Sequence, residues 1–163
     1  MTDLEKARLI ALLMPSALLG GAIGSQYIGG LHPCEMCYWQ RWPHLVAILF
    51  ALASLALRGS MPDKGRSLVW LAGLSILISG LIGVYHAGVE AGVFQGITQC
   101  SSGFSGGSTE DVLAQIMSTP LIRCDQIQWS FLGISMAGWN AILSIASALA
   151  IAWFSLRRPR PFA

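Results

Sequence analysis

"RWPHLVAILFALASLALRGSMPDKGR", residues 41–66, decides how the rest of this chain is read. Sixteen uncharged residues, Trp42 to Leu57, lie between two arginines, and a basic turn carrying Arg58, Lys64 and Arg66 follows at once. A helix that crosses a bilayer needs roughly 20 apolar residues. This run is therefore short for a span unless its helix begins earlier, near Cys37 or Tyr38. Lys and Arg collect on the cytoplasmic side of membrane spans. The basic turn marks that side, and the stretch just before Arg41 falls outside.

The composition agrees with a membrane setting. Of 163 residues, 54% are hydrophobic and 11% charged, and the mean hydropathy is +0.61. A soluble domain carries about 25% charged residues, and so few charges cannot cover a water-facing surface. One polytopic membrane domain is expected, in contact with membrane lipid and with no nucleic-acid partner. Spans are expected at about 9–27, 40–57, 67–85 and 131–156, joined outside by loops at about 28–39 and 86–130. The first reads as a retained span, because its apolar run exceeds the roughly 7–15 residues of a leader and no small-x-small site follows. Recurrent glycines (Gly20, Gly21, Gly24, Gly73, Gly80, Gly83) suit close packing of membrane helices.

Four spans put both termini inside. Lys6, Arg8, Arg58, Lys64, Arg66, Arg157, Arg158 and Arg160, eight of the ten basic residues, then lie inside, and only Arg41 and Arg123 outside. All four cysteines and all three histidines fall outside. Trp39, Trp42 and Trp129 mark the outer interface and Trp70 and Trp153 the inner one, with Trp139 deeper in the fourth span. The fold class expected is an all-α four-helix transmembrane bundle with a long periplasmic loop. Within that loop, "SSGFSGGS" (101–108) precedes "STEDVLAQIM" (108–117). Ser108 with Asp111 makes a weak capping box, and Val112, Leu113, Ile116 and Met117 share a face. A short amphipathic helix is expected, lying on the membrane surface or packed on the rest of the loop.

The cysteines thus face an oxidising compartment, where disulfides persist. Cys34-x-x-Cys37 closes a very short ring, which restricts the unfolded chain little and suits exchange better than stapling. The attacking species in exchange is the thiolate. In a helix starting near Pro33, Cys34, Cys37, Arg41 and His44 recur at intervals of three, four and three, which puts them on one face. A thiolate there gains from the helix dipole and the guanidinium. A charge at the end of a span demands a reason, which for Arg41 is either this chemistry or snorkelling of its head into the headgroups. Pro43 either opens the second helix or bends it. Cys100 and Cys124, with twenty-three residues between them, form either a structural staple or a shuttle disulfide. A c-type haem needs His after the second cysteine, where Tyr38 stands. Zinc is possible on ligand counts, but exchange-prone thiols outside the cytosol oxidise, so no metal is expected.

Four spans, a Cys-x-x-Cys at the outer end of the second, Arg41 four residues on, and a second cysteine pair in the long outer loop together resemble the DsbB family. "RCDQIQWSFLGISMAGWN", residues 123–140, resembles that family's entry into its last helix. The likeness covers nearly the whole chain and departs in the glycine-rich stretch after Cys100. It implies a bacterial inner-membrane thiol oxidase that re-oxidises a periplasmic DsbA-like thioredoxin-fold partner, with ubiquinone or menaquinone as the electron acceptor. By the resemblance, Cys100–Cys124 takes electrons from the partner, with Cys100 the partner-linked sulfur. Cys34–Cys37 re-forms that pair, and Cys37 passes electrons to the quinone. Arg41 matches the family's quinone-site arginine, His86 stands where the family has a quinone-proximal histidine, and His44 is a weaker candidate for the same site. His32 has no role assigned. Making a strongly oxidising disulfide is uphill for ordinary thiols, and a quinone supplies the drive at about 1.4 kcal/mol per 30 mV. The rival readings are a vitamin K epoxide reductase-like enzyme, whose Cys-x-x-Cys is expected near the end of a late span, and a non-catalytic membrane protein with structural disulfides.

Overall fold

The computed structural model describes residues 1–97, 108 and 123–157. Four long helices make a bundle: α1 (Asp3–Tyr27), α2 (Glu35–Ala56), α3 (Arg66–Glu90) and α4 (Met136–Leu156). A two-residue antiparallel pair, β1 (Ser130–Phe131) and β2 (Ile134–Ser135), leads into α4. Helix α3 packs on α2 and α4, and α1 closes the ring against the same two. Cys100 and the expected amphipathic helix at 108–117 lie outside the described residues, apart from Ser108.

Local signals start each helix. Thr2 caps α1 in a capping box, its Oγ1 accepting from the Glu5 N–H at 3.2 Å while Glu5 Oε2 accepts from the Thr2 N–H at 2.7 Å. Cys34 caps α2, its Sγ accepting from the Cys37 N–H at 3.3 Å. Ser135 caps α4 through the Gly138 N–H at 3.1 Å. Each cap satisfies a donor that the helix itself leaves unpaired.

Three helices, α1, α3 and α4, are long and apolar enough to cross a membrane. The first half of α2 carries Glu35, Gln40, Arg41 and His44, which lower its hydropathy. Pro43 is inside α2 and not at its start. With no N–H to give, it leaves the Trp39 carbonyl without its usual helical donor. The expected fourth segment also needs correction. Residues 130–135 form the hairpin, whose turn residues Leu132 and Gly133 have φ of 52° and 77°, as a type I′ turn requires at both positions. Consequently Trp139 sits near the start of α4 and not deep within it; its indole N–H donates to the Phe131 carbonyl at 3.0 Å.

The core divides into two ends. One cluster, Ala7, Ala11, Ala47, Ala51, Val69, Ala72, Ile76 and Ile151, uses small side chains to bring backbones close. Gly73, Gly80 and Gly83 extend this along α3: a Cβ on Gly73 would lie 3.1 Å from Ile151 Cγ2, and one on Gly80 3.0 Å from Ile145 Cγ1. At this end buried Arg8 ties α1 to the turn between α2 and α3, donating from Nε to Ser54 Oγ at 2.9 Å and from Nη2 to the Lys64 carbonyl. Ser54 Oγ in turn donates to the Gly65 carbonyl at 2.9 Å. Lys6, Arg8, Arg58, Lys64 and Arg66 therefore gather at one end of the bundle. The second cluster, Cys34, Met36, Val89 and Cys124, with Cys37 and Tyr85 beside it, occupies the other. Leucines and isoleucines such as Leu13, Leu49, Leu74, Leu81, Ile142 and Leu149 project outward, as helices facing lipid require.

Candidate functional site

Between α1, the first half of α2, the end of α3 and the start of α4 lies a cavity of about 630 Å³, within the roughly 300–1,000 Å³ range of ligand sites. Its walls include Leu18, Ala22, Met136 and Ala137 on the apolar side, and Cys37, Arg41, His44, His86, Glu90 and Asn140 on the polar side.

The sulfurs come first. Cys34 Sγ and Cys37 Sγ are 2.9 Å apart, because the N-cap and third helical positions overlie one another. Cys34 is buried and Cys37 half-buried. The thiol hydrogen bond from Cys34 holds Cys37 below the usual thiol range, and the Arg41 charge adds to this. That same bond, with burial, pushes Cys34 up. Of the two sulfurs Cys37 is thus the readier to ionise, and it lines the cavity. Cys124 is fully buried in the same cluster as Cys34.

His86 reaches this pair from α3, its Nε2 3.6 Å from Cys34 Sγ and 3.9 Å from Glu90 Oε1, one helical turn on. On its other side, Nδ1 is 2.8 Å from Gln40 Nε2. The ligating atoms of Cys34, Cys37 and His86 all lie within 4.8 Å of one another. His44, deeper on α2, meets Asn140 Oδ1 at 2.8 Å and Ser79 Oγ at 2.9 Å through Nε2. Arg41 folds back on α1: Nη1 donates to Gln26 Oε1 at 2.6 Å and Nη2 to the Ala22 carbonyl at 2.9 Å. The guanidinium carbon is 5.2 Å from the centroid of the Tyr38 ring. Its guanidinium is thus held by α1 and by Tyr38.

Among the described residues, Arg41 Nε, His44 Nδ1 and Glu90 Oε2 are buried without a hydrogen-bond partner. A buried polar atom left unpaired costs about 1–3 kcal/mol, and all three residues line the one cavity. A largely apolar chamber with a lone donor and lone acceptors suits an apolar ligand whose polar oxygens both accept and donate hydrogen bonds.

Spacing along α2 indicated Cys34, Cys37, Arg41 and His44, and the structure brings all four to this cavity together with His86. Gln40, Ser79, Glu90 and Asn140 escaped notice. Their one sequence signal is polarity inside apolar segments, where polar groups usually hydrogen-bond across helices.

Comparison with known proteins matches the family described as "Disulfide bond formation protein DsbB" over residues 5–154. The chain belongs to the DsbB family. Among similar proteins, the disulfide bond formation protein B of Paracidovorax citrulli is 31% identical, over 98% of this chain and 92% of that protein. Its namesake in Polaromonas is 30% identical over 90% and 89%. "Disulfide bond formation protein B 2" of Pseudomonas aeruginosa is 28% identical over 86% and 88%. No solved structure matches. With three helices able to cross a bilayer, this DsbB-family chain is a multi-pass membrane protein and a disulfide-forming oxidoreductase.

Proposed function

We propose that this chain re-oxidises a periplasmic DsbA-like dithiol protein and delivers the two electrons to a membrane quinone, ubiquinone or menaquinone. All four helices then span the bacterial inner membrane, with both termini and the basic end cytoplasmic and the cysteine end periplasmic. The single observation that carries this reading is the cavity: Cys37, the sulfur held below the ordinary thiol range, shares it with the unpartnered Arg41 Nε and His44 Nδ1.

The chemistry balances simply. Two thiols become a disulfide by releasing two electrons and two protons, and a bound quinone supplies an acceptor for both. The chain's own residues arrange the rest. Cys100–Cys124 is the pair that exchanges with the partner protein, with Cys100 forming the mixed disulfide. Cys124 shares a buried cluster with Cys34, which supports exchange between the two pairs, with electrons moving inward from sulfur to sulfur. Cys34 donates its hydrogen bond to Cys37 and keeps the charge there. Arg41, anchored to Gln26 and Ala22, holds a positive charge beside that sulfur, where any negative charge developing in the cavity is also stabilised. His86 orders the sulfurs from behind.

The test uses purified full-length protein, a reduced thioredoxin-fold dithiol protein and ubiquinone-1. Quinone-dependent thiol oxidation is expected, and Cys37→Ser should abolish it. Oxidation that needs no quinone, or that survives Cys37→Ser, would sink the proposal. Trapping a mixed disulfide through Cys100 in a Cys124→Ser variant tests the shuttle separately.

A further inference from the structure

We infer that Gln40 and Asn140 act as positioning residues that set the tautomers of both histidines: His86 presents an N–H to the sulfurs, and His44 presents a bare nitrogen to the cavity. Backbone carbonyls, which only accept, anchor both amides. Gln40 Nε2 donates to the Met36 carbonyl at 3.2 Å, and Asn140 Nδ2 donates to the Ser79 carbonyl at 3.3 Å. Neither amide can turn over without setting an oxygen against an oxygen. With both amides so fixed, Asn140 Nδ2 donates to Gln40 Oε1 at 2.8 Å.

The histidines follow. Gln40 Nε2 faces His86 Nδ1 at 2.8 Å as a donor, so Nδ1 accepts and the ring proton of neutral His86 sits on Nε2. That N–H is 3.6 Å from Cys34 Sγ, with Glu90 Oε1 3.9 Å away and the Cys124 backbone a further acceptor for the ring. Asn140 Oδ1 faces His44 Nε2 at 2.8 Å as an acceptor. Ser79 Oγ also accepts there, its own hydrogen going to the Gln40 carbonyl at 2.8 Å. His44 therefore carries its proton on Nε2, and Nδ1 is left as the buried lone pair with no partner.

The chain of donation runs one way, from His44 through Asn140, Gln40 and His86 to Cys34, and from Cys34 to Cys37. Every donor along it points toward the sulfur that is the readier to ionise. The same wiring is wrong for zinc at Cys34, Cys37 and His86. A zinc-bound histidine donates its other N–H to an acceptor, whereas Gln40 offers His86 a donor. At the far end, His44 Nδ1 can accept from a hydroxyl but cannot donate to a carbonyl. On the quinone reading, on which this clause rests, His44 favours the reduced ligand, and Arg41 Nε serves a carbonyl oxygen.

Long-range proton–nitrogen correlation NMR on full-length protein labelled with ¹⁵N-histidine tests this, with assignments from single His32, His44 and His86 variants. In wild type, both His44 and His86 should show pyrrole-type Nε2 and pyridine-type Nδ1. A proton on Nδ1 of either ring overturns the inference. In Gln40→Glu, whose carboxylate accepts, His86 should gain a proton at Nδ1 while His44 stays unchanged. An unmoved His86 spectrum overturns it as well. The wild-type spectrum stands even if the variant does not fold. Adding ubiquinol-1 should shift His44 Nδ1 more than ubiquinone-1 does. If the tautomers are as stated and neither ligand shifts His44, the quinone reading fails and the positioning roles survive.

Discussion

Replacing Gly83 by alanine tests whether packing between α3 and α4 sets the polar network. A methyl group there would lie 3.0 Å from the Ala137 carbonyl oxygen, 3.1 Å from the Ala141 nitrogen and 3.2 Å from Asn140 Nδ2. Two of these atoms are backbone, so the helices must separate by a few tenths of an ångström to admit it. Overpacking of this kind costs about 1–3 kcal/mol. Alanine's advantage over glycine in a helix returns about 0.5–1 kcal/mol, leaving a net loss between about 0 and 2.5 kcal/mol. Gly20→Ala on α1 is the control, because its Cβ meets nothing within 4 Å and only the favourable contribution remains. Denaturant titration of the two detergent-solubilised variants beside wild type gives the comparison. Gly83→Ala should be the least stable of the three and should oxidise thiols more slowly, since Asn140 is displaced from Gln40 and His44. Equal stability of Gly83→Ala and Gly20→Ala, with unimpaired oxidation, would refute the close approach of α3 and α4.

Three further outcomes follow from named contacts. In reduced protein, iodoacetamide should modify Cys37 before Cys34, because Cys34's hydrogen bond holds Cys37 low and Cys34 itself is pushed up. A lowered value means the anion persists below the roughly 8.5 of a free thiol and disappears as pH falls through the folded value. The rate profile should therefore begin at lower pH than that of free cysteine and move upward in Arg41→Met; equal labelling of both sulfurs would contradict this. Asn140→Leu removes the partner of Gln40 Oε1 and one partner of His44 Nε2, and should destabilise by about 1–3 kcal/mol in the same denaturant titration. Gly65→Ala meets two obstacles at once, φ of 77° and a Cβ 2.9 Å from both Ser54 O and Ser54 Oγ. It should cost about 1–3 kcal/mol by disturbing the Arg8–Ser54 tie, and a wild-type unfolding midpoint would count against that tie.

Composition alone determined the membrane class, since charges so sparse cannot hydrate a soluble surface. Helical periodicity put Cys34, Cys37, Arg41 and His44 on one face of α2, and that face is the one turned to the cavity. Both features depend on local spacing, so they are readable without partners. The helix starts were less legible. Cys34 acts as an N-cap, a place more often filled by Ser, Thr, Asp or Asn, and the turn before α4 uses a leucine at positive φ, which composition does not announce. Tertiary structure decided which faces meet. Gln40 and Asn140 stand 100 residues apart, and His86 lies 46 residues from Gln40. Periodicity says which residues share a face but not which helix that face will find. Nor does sequence indicate which way a buried amide turns. That is settled by the fixed carbonyls of Met36 and Ser79, and it takes the packed bundle to bring those carbonyls to the two side chains.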